Sequence, residues 1–499
     1  MNFIVEPMMR AAISLKNSVP VCLRAAPLRR HHLAGILVGL SLIMLSGAAC
    51  SQTSRPRLAD FAFTQFRLVP IQPASRPASL GGAFIAIADD ATAAAINPAG
   101  ISFLSTPEIS LSHSAGWHTT DFAVSRQERP SGRARHYQRI FDQTLVNITY
   151  PQWGFTFAAF RQAAFRSEFS FSRRQFLTLA LNRPLTLAEQ LGAGGNFPGL
   201  ASEHYCEVIH NAVVVARTLP GGVHLGLSLR ATQLRLLLDE RQYFEPALWQ
   251  QTSFAGMSEP SVPVRIEGLY RIDHAQRSQF KPGYSLGMLF ELSPRWTLGA
   301  VYEHLPAYEI VNRITLPAYT LPDRTPGDGR DDSLHFTAEE KRVPFTLNLP
   351  DFLGFGLSWR AHVRLLLGAD VLLYRSRGLL RGLHDDLPQD DVAGRDPDGL
   401  GDVAAYHHVS WRAGVEYRLI QLGRIWPLRL GIYSEPNFGW QAVSRAAAVQ
   451  REFPDKSGFL HFTSGAGVVL NNKVRFETSL DVSPERGQIS LIGSAVLRL

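Results

Sequence analysis

The sequence predicts an all-β chain: a 14-stranded antiparallel transmembrane β-barrel with an amino-terminal hatch (plug) inside its lumen. Three observations carry that prediction. From Glu108 onward, apolar and polar residues alternate, the period of a strand with two unlike faces. The links between these segments are short at one end and long at the other, an asymmetry typical of membrane barrels. Ahead of them lies a small-residue stretch, Arg76–Leu104, whose side chains are too short to build a thick core of their own.

Composition sets the bounds. The 499 residues are 19% charged and 10% aromatic, and mean hydropathy is −0.03. No apolar run after residue 50 could cross a bilayer as a helix. Alternating strands average to neutral hydropathy, so a barrel remains open. The net charge of +7 includes Arg10, Lys16, Arg24, Arg29 and Arg30, near the amino terminus. No basic–aromatic patch of the kind that grips single strands stands out, so nucleic acid is not an expected partner. Cys22, Cys50 and Cys206 are too few for a disulfide framework.

Residues 1–50 read as a signal peptide and leader. Arg24, Arg29 and Arg30 form its basic region, Leu33–Leu45 its apolar core of 13 residues, and Gly47-Ala48-Ala49 its small-residue end. The core is too short to span a bilayer. Cys50 invites a lipid anchor, but Gly47 stands where a leucine-like residue would be needed, so ordinary cleavage is expected. Residues 51–106 then form the hatch and 107–499 the barrel.

Within the hatch, Arg76–Leu104 holds nine alanines, paired Gly81-Gly82, adjacent Asp89-Asp90 and the turn Asn97-Pro98-Ala99-Gly100. Glycine and alanine let one backbone lie close to another. Proline fixes its own φ and pushes its predecessor out of the helical region, so Asn97-Pro98 starts a turn. A dinucleotide-binding glycine turn is excluded, since G-x-G-x-x-G is absent and no βαβ pattern follows. The segments Gly81-Gly82-Ala83-Phe84, Ala88-Asp89-Asp90-Ala91 and Asn97-Pro98-Ala99 resemble the start of the mature FadL-type outer-membrane long-chain fatty acid and hydrocarbon transporters. The resemblance implies a periplasmic-side hatch in a 14-stranded barrel, with Gly81, Gly82, Asp89, Asp90, Asn97, Pro98 and Ala99 as hatch and gating residues.

The strands follow in order. Val223, Leu225, Leu227, Leu229 and Ala231 alternate with His224, Gly226, Ser228, Arg230 and Thr232; Tyr284–Leu292, Val409–Leu419 and Val474–Val482 repeat the pattern. Fourteen segments emerge: 108–117, 144–150, 153–165, 205–217, 222–235, 283–292, 296–304, 350–360, 362–375, 406–419, 427–434, 460–470, 473–482 and 489–499. Val264–Ile272 could form another strand and is placed in a long external loop. Open edges cannot face lipid, so the sheet must close. Tyr284–His304 and Thr346-Leu347-Asn348-Leu349-Pro350 extend the resemblance past the hatch. These barrels commonly end in an aromatic residue, whereas this chain ends Val496-Leu497-Arg498-Leu499.

Motifs that suggest chemistry mostly have plainer readings. Gly283-Tyr284-Ser285-Leu286-Gly287 matches G-x-S-x-G, but a nucleophile elbow needs a strand-to-helix turn and Ser285 lies mid-strand. No catalytic residue is assigned. Asp396–Asp402 places acids at alternate positions around Gly399, yet no Glu closes a 12-residue calcium loop. His407 and His408 are strand neighbours and point to opposite faces, so no metal is expected there. Arg364, Asp370, Arg412, Glu416, Arg475, Glu477 and Asp481 are expected to face a hydrated lumen, a subset of them suited to a carboxylate head group. Phe176–Leu191 is apolar within an external loop; Phe176, Leu177, Leu179 and Leu187 read either as a loop helix packed on the barrel mouth or as a landing surface for substrate. Neither a P-loop nor an energy-coupling box is evident.

The resemblance therefore implies passive uptake of a hydrophobic small molecule, a fatty acid or hydrocarbon, by a multi-pass protein of the bacterial outer membrane. Outer-membrane lipid and the barrel-assembly machinery are its implied partners, and no cofactor is implied. A related barrel subgroup that assists protein secretion shares the same amino-terminal pattern and stands as the alternative, as does a purely structural role.

Overall fold

The computed structural model describes residues 68–123, 133–173, 199–243, 279–316, 339–375, 408–421, 424–438, 458–471 and 473–499, with strand fragments at 176–177, 196–197, 270–273, 319–322, 333–336, 380–381, 403–404 and 441–442. Fourteen antiparallel strands form the barrel. They are β1 Glu108–Ala123, β2 Arg133–Gln152, β3 Phe155–Arg173, β4 Gly199–Leu219, β5 Val223–Tyr243, β6 Gln279–Ser293, β7 Trp296–His304, β8 Asp351–His362, β9 Leu365–Arg375, β10 His408–Gln421, β11 Arg424–Pro436, β12 Gly458–Leu470, β13 Val474–Ser483 and β14 Gln488–Arg498. Each pairs with the next or with its neighbour across a loop, and β1 closes the ring on β14 from Glu108↔Arg498 to His118↔Gln488. Every segment expected from alternation falls on one of these strands. Several run farther than expected, with β4 and β5 reaching 21 residues each.

Burial shows which way the pattern points. On β5, Leu225 and Leu229 are exposed while His224, Ser228, Arg230 and Thr232 are buried. On β6, Leu286 and Met288 point out and Ser285 points in. A water-soluble sheet would bury the opposite set. An apolar exterior is stable only where the surrounding solvent is itself apolar, because exposing it to water is costly, and closure leaves no unpaired edge facing that solvent. Aromatic residues mark both ends of the apolar belt. Trp153, Trp426 and the stacked pair Trp296–Trp359 (centroids 5.3 Å apart) lie near the short turns. Trp117, Phe141, Phe280 and Trp411 lie toward the long loops. This is the construction of a multi-pass barrel of the bacterial outer membrane, with short turns toward the periplasm.

The second turn is one place where the expected link shifts. The bend falls on Trp153-Gly154, both at positive φ (55° and 76°), rather than on Pro151-Gln152. Outside the wall stands an unexpected hairpin, Ala307–Leu316 with Glu339–Asn348, in a stretch expected to be loop. Tyr270–Asp273 bridges β5 to this hairpin, so the described end of Val264–Ile272 is a strand within the external region. Tyr308 anchors the hairpin: it is fully buried, and its hydroxyl donates to the carbonyl of Thr232 at 2.7 Å.

The hatch fills the barrel. Residues 73–88, 90–95 and 97–101 are all buried, although their own side chains are small. They are buried because the wall surrounds them.

Candidate transport path: hatch and wall seam

The hatch is a chain of short turns, each made by a residue suited to it. Gly81 and Gly82 have φ of +63° and +73°, a region that side chains disfavour. A Cβ on Gly81 would also lie 2.7 Å from the backbone nitrogen of Ile432 on β11. Asn97 caps the 3-10 helix Pro98–Phe103: its side-chain oxygen accepts from the Ala99 N–H at 3.2 Å, and Pro98 occupies the first turn, where no N–H is needed. The Asn97 amide nitrogen donates to the Ile85 carbonyl at 2.8 Å and the Met288 carbonyl at 3.3 Å. One side chain thus fastens two parts of the hatch to each other and to β6.

Buried charges fasten the rest. Arg76 pairs with Asp89, with Asp90 at 2.7 Å and with Glu416 of β10 at 3.1 Å. Asp90 also receives Arg475 of β13 at 2.6 Å. Arg429 joins Glu416 to Glu477 at 2.8 and 2.7 Å. Burial alone would raise the pKa of Asp90, but the guanidiniums of Arg475 and Arg76 and the Thr92 hydroxyl more than reverse this, holding it well below the usual carboxylate range. Burial works against the charge on Arg76 too, and Asp89, Glu416 and Asp90 overcome it, keeping the guanidinium charged.

A second anchor lies farther along the same part of the wall, on β9 and β10. Asp370 of β9 accepts the N–H groups of Phe84 and Ile85 at 2.7 and 2.9 Å. Its register partner Arg412 donates to the Gly82 carbonyl at 3.2 Å and to the Tyr374 hydroxyl at 3.3 Å. Five of the expected lumen charges, Asp370, Arg412, Glu416, Arg475 and Glu477, therefore hold or support the hatch. Asp481 instead binds His461 at 2.9 Å and the Tyr433 hydroxyl at 2.6 Å. Arg364 corrects the expectation: it sits exposed in the turn between β8 and β9, because the strand ends before it.

Sequence reading missed the seat on which the hatch rests. Inward glycines recur on the consecutive strands β5 to β11: Gly226, Gly287, Gly299, Gly356, Gly368, Gly414 and Gly431. A Cβ on Gly287 would fall 2.1 Å from the Asn97 side-chain oxygen, and one on Gly226 would fall 2.3 Å from the Ala99 nitrogen. Register aligns Gly226 with Gly287, Gly299 with Gly356, and Gly414 with Gly431. The hatch backbone lies where wall side chains would otherwise be. The available signal was glycine repeating at inward positions from strand to strand.

The wall has a break. Strands β2 and β3 pair from Gln152↔Phe155 to Leu145↔Gln162 and, among the described residues, no farther outward, although both continue. At that level Thr144 forms a bulge and turns inward to donate to the Pro73 carbonyl at 2.9 Å. The start of the hatch enters the break: Val69 and Pro70 pair with Arg166 and Phe165 of β3, and the Ile71 N–H donates to the Ala164 carbonyl at 2.9 Å. An ion pair between Asp142 of β2 and Arg166 of β3 spans it. Inside, Leu68 and Phe165 belong to a buried apolar cluster that continues through Tyr374 and Phe438.

Other expected residues find quieter roles. Ser285 is buried in the middle of the continuous strand Gln279–Ser293, so the chain makes no strand-to-helix turn there. Phe176 and Leu177 form a short strand paired with Phe197 and Asn196, so that end of the apolar loop is not helical; Leu179 and Leu187 lie outside the described residues, as do residues 1–67, Asp396–Asp402 and His407. No group of metal-ligating side chains is found among the described residues.

A closed 14-stranded barrel with a lumenal amino-terminal hatch is the fold of the FadL-type hydrocarbon transporters. The Pseudomonas putida toluene transporter TodX superposes with a TM-score of 0.52 at 12% identity, over 87% of this chain and 100% of that one. A Pseudomonas aeruginosa FadL homologue superposes with a TM-score of 0.50 at 11% identity, over 87% and 100% of the two chains. No protein-family model matches the sequence, and no curated protein matches it. At these identities the likeness concerns the fold alone.

Proposed function

We propose that this chain is an outer-membrane channel for the passive uptake of hydrophobic molecules such as long-chain fatty acids or small hydrocarbons, held shut by residues 68–106. The observation that carries the reading is the break between β2 and β3, filled by the start of the hatch and joined inside to an apolar cluster. An apolar solute gains about 25 cal/mol per Å² on leaving water, so a sideways route into the bilayer is downhill without any energy source. The solute enters from outside, passes the apolar interior around Phe165 and Tyr374, and leaves through the seam once Leu68–Gln72 moves aside. The ion pairs and hydrogen bonds around Arg76 and Asp370 make ejection of the whole hatch costly; a local shift of its first residues is cheaper. The transport of toluene by a protein of the same fold adds support. The external apolar residues Phe176, Leu177, Leu179 and Leu187 remain the proposed first landing surface.

Asn97 provides the test. Asn97→Ala removes three hydrogen bonds from the hatch while leaving the lipid-facing wall untouched. We expect a severalfold change in the uptake of radiolabelled oleate and toluene by cells, with the heat-modifiable barrel band on gels unchanged. Unaltered uptake of both probes would remove Asn97 from gating. Copurification of a large secreted protein, with no uptake of either probe, would favour the secretion-accessory alternative instead.

A further inference from the structure

Beneath the hatch, a cavity of about 230 Å³ opens toward the periplasm and takes no part in the route described above. Its cations are Arg76 from the hatch and Arg418, Arg429, Lys473, Arg475 and Arg498 from the strand ends. The carboxylates that line it are Asp89, Glu108 and Glu416, and Asp90 and Glu477 lie behind, paired with Arg76, Arg475 and Arg429. The two signs are unevenly placed. The side chains of Glu108, Glu416, Asp90 and Glu477 are each at most 2% exposed and Asp89 is 33% exposed, whereas Arg418 and Arg498 are 37% and 48% exposed and Lys473 is exposed. An ion arriving from the periplasm therefore meets three accessible cations, Arg418, Lys473 and Arg498, against one accessible carboxylate, Asp89. A cleft with low-dielectric walls concentrates such a field.

Two details show unused binding capacity. The Nη1 atom of buried Arg429 has no hydrogen-bond partner, while Nε and Nη2 of the same guanidinium are engaged by Glu416 and Glu477. Among the described residues, Lys473 has no carboxylate partner, leaving six cations to five acids in the cluster. Guanidinium and ammonium groups around one small cavity suit an oxyanion.

We propose that this cavity is a binding site for a single oxyanion head group, a carboxylate or a phosphate, entering from the periplasmic side. Arg418, Lys473 and Arg498 draw the anion in, and Arg429 lines the floor. Because Arg76, Arg429 and Glu416 also belong to the hatch latch, an occupant weakens the grip of Glu416 on Arg76 and so links periplasmic anions to the position of the hatch. The site goes beyond the uptake reading and does not depend on it.

The test is calorimetric titration of the full-length protein, purified in a zwitterionic detergent, with sodium octanoate and separately with inorganic phosphate. Saturable binding of at least one anion is expected, weakened by salt. It should fall about tenfold in the double variant Arg418→Gln, Lys473→Gln, as the loss of charged contacts at a part-exposed site implies. Heat-modifiability on gels confirms that the variant is folded. Binding of phosphate alone identifies a free anion; binding of octanoate that depends on the two cations identifies the head group of an amphiphile. The absence of saturable binding by both anions, or equal binding by the wild type and the folded variant, overturns the proposal. Loss of apolar uptake with this binding intact would count against the transport reading alone.

Discussion

Two aspartates carry much of the hatch's attachment, and they do so differently. Asp370 satisfies two buried N–H groups that have no alternative acceptor in their turn. Asp370→Ala leaves both unpaired, at about 1–3 kcal/mol for each buried donor. We expect hydrogen exchange across residues 80–88 to accelerate tenfold or more, while exchange in β6 is unchanged; equal protection in wild type and variant would contradict this anchor. Asp90 gives a pH dependence whose sign follows from its environment. Its pKa in the folded protein lies well below the ordinary value of 3.8, so its contribution is complete above that value. The contribution is lost only as pH falls below 3.8 and through the lower folded value. Asp90→Asn should therefore loosen the hatch at about pH 7 and loosen it less at about pH 2, which lies between the ordinary and the folded values, so that part of the carboxylate's contribution has already gone. Exchange measured on both proteins at the two pH values checks it, and a larger effect of the substitution in acid would reverse the sign.

At the scale of elements, alternation was sufficient to find all fourteen strands, because a wall between lipid and lumen imposes a period of two on every strand that crosses it. Leu286 and Ser285 are adjacent and face opposite solvents. Leu286→Arg should cost about 2–4 kcal/mol of folding stability in liposomes, as expected near the middle of a lipid-facing surface. Ser285→Ala should change stability little, since its hydroxyl makes no hydrogen bond. Urea titration in vesicles separates the two, and similar costs would mean that the faces are assigned wrongly. Periodicity tells a face, but not a partner. That is why Asp370 and Asp481 looked alike in the sequence, although one holds the hatch and the other holds His461 and Tyr433. The hairpin beyond β7 was hidden by Pro306, Pro317 and Pro344, which read as loop punctuation. The seam was hidden for another reason: alternation along one strand does not say where its pairing with a neighbour stops, and β2 and β3 both continue past that point.

For the molecule as a whole, the hatch and the wall form one packed unit. Wall glycines open the space, hatch alanines and glycines enter it, and buried ion pairs fix the register between them. Little of the hatch is free to move as a body. Its first described residues are the exception, because Val69–Pro70 rest on one strand across a gap in the wall. The external hairpin and the long outward strands raise a rim at the long-loop end of the barrel, the side from which the proposed route begins. The molecule is therefore stiff below, raised above and interrupted at one seam.

The decisive measurement pins that seam shut. Cysteines placed at Asp142 and Arg166, joined by a reducible bis-thiosulfonate linker, would tie β2 to β3 across the break; Cys206 is buried and shielded from the reagent. Uptake of oleate and toluene by cells carrying this variant should fall severalfold on cross-linking and return on reduction. Uptake that continues undiminished while the strands are tied would contradict sideways passage through the wall.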